Sequence, residues 1–308
     1  MIRSGGGHVS VKKTLELLRR SPEEHPSPGD DVGGRAIIVG VTDRGCVRER
    51  NEDQFVVARL ERTIEIESCG FPASNGMRHT DRPAGRLMMV ADGMGGQVRG
   101  DVASAVVVDA MLQYAVSMMP WLRMSTAADE QALADGLTGA VGRSQERMLE
   151  VAQRKGFVGD MGSTLTLGYV MWPILYLVHV GDSRAYLFRQ GQLFRLTRDH
   201  NLASEMVTMK VMTEEEARAS CFASVLTNSV STTGEQAQVE LHQVELQNDD
   251  LVLLCTDGLY GEISDDVIKS RLMHVTAADL VGPCARALVD SAKAAGGRDN
   301  ITAVLARF

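Results

Sequence analysis

Five cysteines in 308 residues, at positions 46, 69, 221, 255 and 284, are odd in number and widely scattered. No C-x-x-C pair or Cys/His cluster has zinc spacing, so neither a disulfide framework nor a structural zinc site organises the chain. Free thiols in a reducing, cytoplasmic setting fit that usage. Positive charge is also in deficit. Lys and Arg number 32 against 40 Asp and Glu, a net charge of −8. That sign is wrong for a phosphate-backbone footprint, and no nucleic-acid partner is expected. The opening residues, Met1 to Gly7, lack the apolar segment of a signal peptide. The longest apolar stretch, residues 165–180, is interrupted by Pro173 and His179. It is too short and too rich in β-branched and aromatic residues to span a bilayer, so no membrane association is expected. Gly-x-Gly-x-x-Gly and P-loop patterns ahead of a helix are absent too, which leaves nucleotide binding little support.

What is present is an apolar fraction of 44%, enough for a sizeable core. Residues 1–34 read as a leader: a short helical stretch from Val11 to Arg20, then a proline- and charge-rich linker over Ser21 to Asp31. The folded domain is expected at 35–308, as a monomer. Strands are predicted at 36–41, 54–60 and 87–91, with residues 61–85 as an extended hairpin or surface loop. Apolar residues at Val102, Val106, Ala110, Met111, Tyr114 and Met118 follow helical spacing. A second helix is predicted over 130–155 with Leu133, Leu137, Val141 and Met148 inward, although Gly136, Gly139 and Gly142 count against it. Strands return from Ser163 to Phe188, with a turn at Gly181-Asp-Ser183, and again over 192–196. Thr213-Glu-Glu-Glu216 has the form of a capping box. Further strands follow at 239–246, 250–256 and 301–308, with helices from Ser264 and over 277–295. Helix pairs alternating with blocks of antiparallel strands predict two stacked sheets with helices outside, an α+β domain.

The chemistry concentrates in acids at strand ends. In Leu87-Met-Met-Val-Ala-Asp-Gly-Met-Gly-Gly96 an apolar run ends on Asp92 and a glycine-rich turn is expected at once. Asp257 follows Leu-Val-Leu-Leu-Cys-Thr, Asp182 follows Tyr-Leu-Val-His-Val-Gly, and Asp299 directly precedes the last strand. Any one of these reads equally as a turn residue. Four in one domain point to a shared hard-cation site, because a carboxylate at the mouth of a buried strand needs a positive partner. Oxygen ligands without His or Cys select Mg²⁺ or Mn²⁺. Two such ions could lower the pKa of a bridging water and hold a phosphoryl oxygen. Arg48, whose guanidinium matches two phosphate oxygens, is the candidate to receive that anion.

Six motifs then occur in a telling order: Arg48-x-x-Asn-Glu-Asp53, Asp92-Gly-Met-Gly-Gly96, Gly162-Ser-Thr164, Gly181-Asp-Ser-Arg184, Asp257-Gly258 and Asp299-Asn300. In this the chain resembles the metal-dependent Ser/Thr protein phosphatases of the PPM, or type 2C, family in its bacterial form, over residues 36–308. The resemblance implies a four-layer αββα sandwich with a binuclear Mn²⁺/Mg²⁺ centre. It implies hydrolysis of phosphoserine and phosphothreonine, left on proteins by Ser/Thr kinases in signal transduction, by a metal-bridging hydroxide. By motif position Asp92 resembles the bridging carboxylate, with the Gly93 carbonyl as a ligand of one ion. Asp257 and Asp299 resemble ligands of the first ion, and Glu52 the acid serving the second. Asp53 and Asp182 resemble supporting acids, and Asp160, with Asp257, the holder of a weaker third ion. Arg48 is similar to the phosphate-binding arginine. Met94 departs from animal relatives, which have a histidine there to protonate the leaving group; with Met the donor is expected to be water. The segment after Asp199-His200 resembles the mobile flap, its usual arginine-containing end altered to Ser224-Val-Leu-Thr-Asn-Ser229. A catalytically silent module that docks phosphoproteins is the alternative, and the retained carboxylates weigh against it.

Overall fold

The computed structural model describes residues 36–61, 63–65, 78–80, 85–95, 99–117, 127–157, 159–233 and 236–308. The leader 1–34, most of 62–84, Gly96 and Met118 lie outside the described residues. Within 61–85, β3 (Thr63–Glu65) pairs antiparallel with β4 (Arg78–Thr80), as a hairpin requires.

Two antiparallel sheets form the centre. One has β1 (Ile37–Asp43) at its edge, then β14 (Ile301–Arg307), β13 (Leu251–Cys255), β9 (Arg184–Arg189) and β10 (Gln192–Arg195). The other is built on the ten-residue β5 (Gly85–Met94), which pairs with β2 (Asp53–Leu60) on one side and β7 (Leu165–Met171) on the other. It continues through β8 (Ile174–Val180) to β12 (Glu240–Glu245), while β6 (Gly162–Ser163) and β11 (Val230–Ser231) extend it at the far end of β5. Strand alternation explains the layers. Met88 and Val90 point into the core between the sheets, against Leu187, Val252, Leu254 and Val304. Leu87, Met89 and Ala91 point the other way, against α1 (Gly100–Ser117) and α2 (Ala127–Lys155). On the opposite side Leu253, Ala303 and Leu305 pack under α6 (Asp265–Leu272) and α7 (Val281–Ala295). β5 is therefore covered on both faces, which is why it reads as an uninterrupted apolar run. Each large side chain buried there contributes about 1.5–3 kcal/mol. The result is the αββα sandwich. Among the described residues no helix is long and apolar enough to cross a membrane.

Three expectations change. β5 does not stop at Asp92 but runs on to Met94, because Gly93 and Met94 pair with Ser163 and Gly162. The glycine-rich bend begins at Gly95. On α1 the fully buried stripe is Ala103, Ser104, Val107, Met111 and Tyr114, while Val102, Val106 and Ala110 sit at its margin. Apolar residues surround that helix, so spacing alone did not decide which face turns inward. α2 runs unbroken through its glycines with Leu133, Leu137, Val141 and Met148 inward as expected. A Cβ on Gly136 would stand 2.1 Å from the Tyr114 hydroxyl, so the glycine lets α1 and α2 approach. The short helices α3 (Leu202–Thr208) and α4 (Glu214–Ala219) follow the second block of strands, and Thr213 and Glu216 form the expected capping box.

Gly136→Ala should therefore lose stability, by about 1–3 kcal/mol for overpacking, where helix propensity alone would give a gain. Urea denaturation checks this. Adding Tyr114→Phe should recover part of the loss.

Candidate active site

The strands deliver their acids to one place. β13 and β14 are neighbours, so Asp257, two residues beyond β13, and Asp299, two residues before β14, emerge side by side. Asp257 opens a single-turn helix, α5 (Asp257–Tyr260), that the sequence pattern did not suggest. From the other sheet, Asp92 lies in register with Asp53, the first residue of β2. Their ends border a cleft of about 1360 Å³ lined by Arg48, Glu52, Asp92, Gly93, Asp160, Asp182, Asp257 and Asp299 among others. Every sequence-predicted site residue except Asp53 thus meets in one cavity. Asp160 stands exposed at its rim, and Asp182 is buried deeper, its carbonyl accepting from the Tyr260 hydroxyl at 3.0 Å.

Local packing fixes each group. The Asp92 backbone is tied on both sides to Thr164, whose hydroxyl accepts from the Asp92 amide at 2.9 Å and whose amide donates to the Asp92 carbonyl. That is the structural work of the Gly162-Ser-Thr164 motif. Gly93 is required, because a Cβ there would lie 1.9 Å from the Gly100 carbonyl. The Glu52 carbonyl accepts from Gly93 N and from Ser104 Oγ at 2.6 Å, and its amide donates to Asn300 Oδ1 at 2.8 Å. Asp53 lies under the cleft floor, where Oδ2 accepts from Thr256 and Thr302 at 2.8 and 2.6 Å. Arg48 is half exposed and places Nη2 2.6 Å from Asp299 Oδ2.

The site is short of positive charge. Burial, then the charges of Asp257 and Asp299, push the Asp53 carboxyl up to about 7. Burial and Asp299 push Asp257 up to about 6. Asp92 and Asp182 are raised well above the ordinary carboxylate range, by burial first and neighbouring acids second. Burial also raises Glu52 against the opposing pull of Arg48. Oδ1 of Asp53 and Oδ1 of Asp257 are buried without a hydrogen-bond partner. Orphaned carboxylate oxygens, an oxygen-only donor set and mutual repulsion together fit a hard divalent cation. The acids do not close into a finished shell: among the described residues no group of three or more His, Cys, Asp or Glu is placed to hold an ion as it stands. Asp299 is engaged by Arg48 instead.

Several contributors were not foreseen. Ser104 and the Thr256–Thr302 pair carry no local signature, since their roles depend on what faces them. Asn300 lay inside a quoted motif without an assigned task. Arg184 grips Asp199 through two nitrogens at 3.0 and 2.7 Å and lies 3.5 Å over the Tyr260 ring, so it braces the site from behind. His200, which lines the cleft, accepts at Nδ1 from the Gly181 amide and the Asn228 side chain. This ties both ends of the flap segment to the strand that ends beside Asp182.

Stacked antiparallel sheets flanked by helices, with an acidic cleft and an arginine at their ends, define the class of metal-dependent protein phosphatases. The catalytic domain of the serine/threonine phosphatase PstP, solved in complex with two manganese ions, superposes with a TM-score of 0.67 at 28% identity, covering 88% of this chain and 97% of that one. The family profile described as protein phosphatase 2C matches residues 74–305. Among curated relatives, Mycobacterium tuberculosis serine/threonine protein phosphatase PstP is 29% identical over 86% of this chain, which spans only 43% of that protein's length. Streptococcus pneumoniae protein phosphatase PhpP is 30% identical over 74% of this chain and 89% of its own. The chain belongs to the protein phosphatase 2C family.

The raised carboxyls set a pH dependence. A carboxyl ordinarily near 3.8 that titrates at about 6 or 7 when folded binds its proton more tightly in the folded state. Its contribution to stability is full below the ordinary value and is lost as pH rises through the folded value. In EDTA the melting temperature should fall between about pH 5 and 8, and Mn²⁺ should remove most of that fall. Thermal melts across that range, with and without Mn²⁺, check both.

Proposed function

We propose that this chain is a protein serine/threonine phosphatase that hydrolyses phosphoserine and phosphothreonine with Mn²⁺ or Mg²⁺. The observation that carries the reading is the convergence of Asp92, Asp257, Asp299 and Glu52 with Arg48 in one cleft. Two ions are proposed. Asp92 would be shared between them, Asp257 and Asp299 would complete one set, Glu52 would serve the other, and the Gly93 carbonyl would be a ligand of one of the two. Asp160 with Asp257 would hold a weaker third. Bound there, the ions would offset phosphoryl charge and acidify water in the site.

The chain's own groups then orient the substrate. Arg48 spends one guanidinium nitrogen on Asp299, which leaves its other edge to face two phosphate oxygens. Asp53, buried beneath the cleft, and Asp182, buried deep in its wall, would be supporting acids that add to the site's attraction for cations. Hydrolysis forms a bond from a water oxygen to phosphorus and breaks the bond to the seryl or threonyl oxygen, which must gain a proton. Met94 lines the cleft directly after Gly93 in the chain and has no proton to give, so water supplies it. The substrates would be phosphorylated proteins made by Ser/Thr kinases, in a cytoplasmic signalling role that suits the free thiols Cys46, Cys221, Cys255 and Cys284 among the described residues.

Phosphate release from a phosphothreonine peptide should depend on Mn²⁺. Asp92→Asn should lower kcat by ~10²-fold or more, the scale seen when a group stabilising transition-state charge is removed. No Mn²⁺-dependent turnover, or full activity in Asp92→Asn, would sink the reading. Arg48→Ala should raise KM for the same peptide by roughly 10-fold or more, since hydrogen bonds to charged groups contribute about 1.5–3 kcal/mol. Arg48→Lys should restore only part of the affinity, and steady-state kinetics on the two variants decide it.

A further inference from the structure

The phosphate-receiving arginine and the second-ion acid share one irregular loop. Residues 44–52 join β1 to β2 with no helix or strand of their own, and residues 46–50 are exposed. Ordering such a segment costs on the order of 1–2 kcal/mol per residue, so its position must be held by specific ties. The ties converge on the turn ahead of β14. Cys46 N donates to the Gly297 carbonyl at 2.7 Å, and Arg48 bonds Asp299. Asn300, 4% exposed, adds three more. Its Nδ2 donates to the carbonyls of Arg44 and Arg50 at 3.0 and 2.8 Å, and its Oδ1 accepts from the Glu52 amide at 2.8 Å. Both amide hydrogens and the carbonyl are therefore used, on the start and the end of one loop.

We propose that Asn300 is a positioning residue of the active site, whose carboxamide sets Arg48 and Glu52 together against the cleft. The inference rests on the phosphatase reading above. The bonding pattern demands two donors and one acceptor on a short planar group, which asparagine alone supplies at this length. Aspartate has the same shape, but it would turn an acceptor toward the two carbonyls that now receive hydrogen bonds. Because one side chain holds both ends of the loop, its loss weakens phosphate binding and cation binding together. A residue that merely stabilised the fold would lower the melting temperature and leave both affinities in place.

The test is calorimetry on the purified full chain, wild type against Asn300→Asp, titrated with MnCl₂ and then, in saturating Mn²⁺, with inorganic phosphate. Both Kd values should rise by about 10-fold or more, the scale on which groups behind metal ligands act. A folded variant with wild-type affinity for both overturns the proposal, whatever its melting temperature. If Asn300→Asp does not fold, amide hydrogen exchange on the wild type decides. Protection of the Glu52 amide well beyond that of the exposed amides of residues 47–49 supports the clamp, and exchange as fast as theirs overturns it. A wild type that binds neither Mn²⁺ nor phosphate overturns the phosphatase reading itself, and that failure is visible before any variant is made.

Discussion

Crowded carboxylates at the seam between two sheets are the constraint to which the rest of the structure answers. Burial first and neighbouring acids second raise the proton affinity of Asp53, Asp92, Asp182 and Asp257, and Arg48 is a cation that reaches in among them. Such an arrangement costs folding free energy near neutral pH and can persist only on a scaffold with stability to spare. The scaffold is the double sandwich, in which β5, β13 and β14 are covered on both faces. The strands give rigidity at the point where rigidity is needed, the residues just beyond their ends.

Packing and chemistry are joined by hydroxyls and amides rather than by further charge. Thr164 holds the backbone of Asp92, Ser104 and Gly93 hold the carbonyl of Glu52, and Thr256 with Thr302 holds the carboxylate of Asp53. These neutral donors orient the acids without cancelling the charge a divalent ion requires. Arginine is used sparingly. Arg184 is spent on Asp199 behind the site, and Arg48 is left at the mouth.

Much of the site was legible because it is written in short local patterns. Asp-Gly after an apolar run, Arg-x-x-Asn-Glu-Asp, and Asp-Asn ahead of the last strand are each contiguous, so their order along the chain could be read directly. Boundaries were less legible. β5 outlasts its apolar run because Gly162 and Ser163, some seventy residues away, offer it hydrogen bonds. Gly136 looked like a helix breaker until Tyr114 was found across from it. The buried face of α1 was off by about one position because nearly every face of that helix is apolar.

By itself, then, the sequence determined the α+β alternation, the strand-end acids that line the cleft and the family the chain belongs to, since periodicity and motif are properties of neighbouring residues. Only the tertiary structure decided that Asp53 lies beneath the cleft rather than in it, that Asp257 starts a turn of helix, and that Asn300 reaches across to residues 44, 50 and 52. The Asn300 contacts join residues about 250 positions apart, set by which strands lie side by side. No local pattern encodes such a neighbour, because the energy that selects it comes from burying both sheets at once.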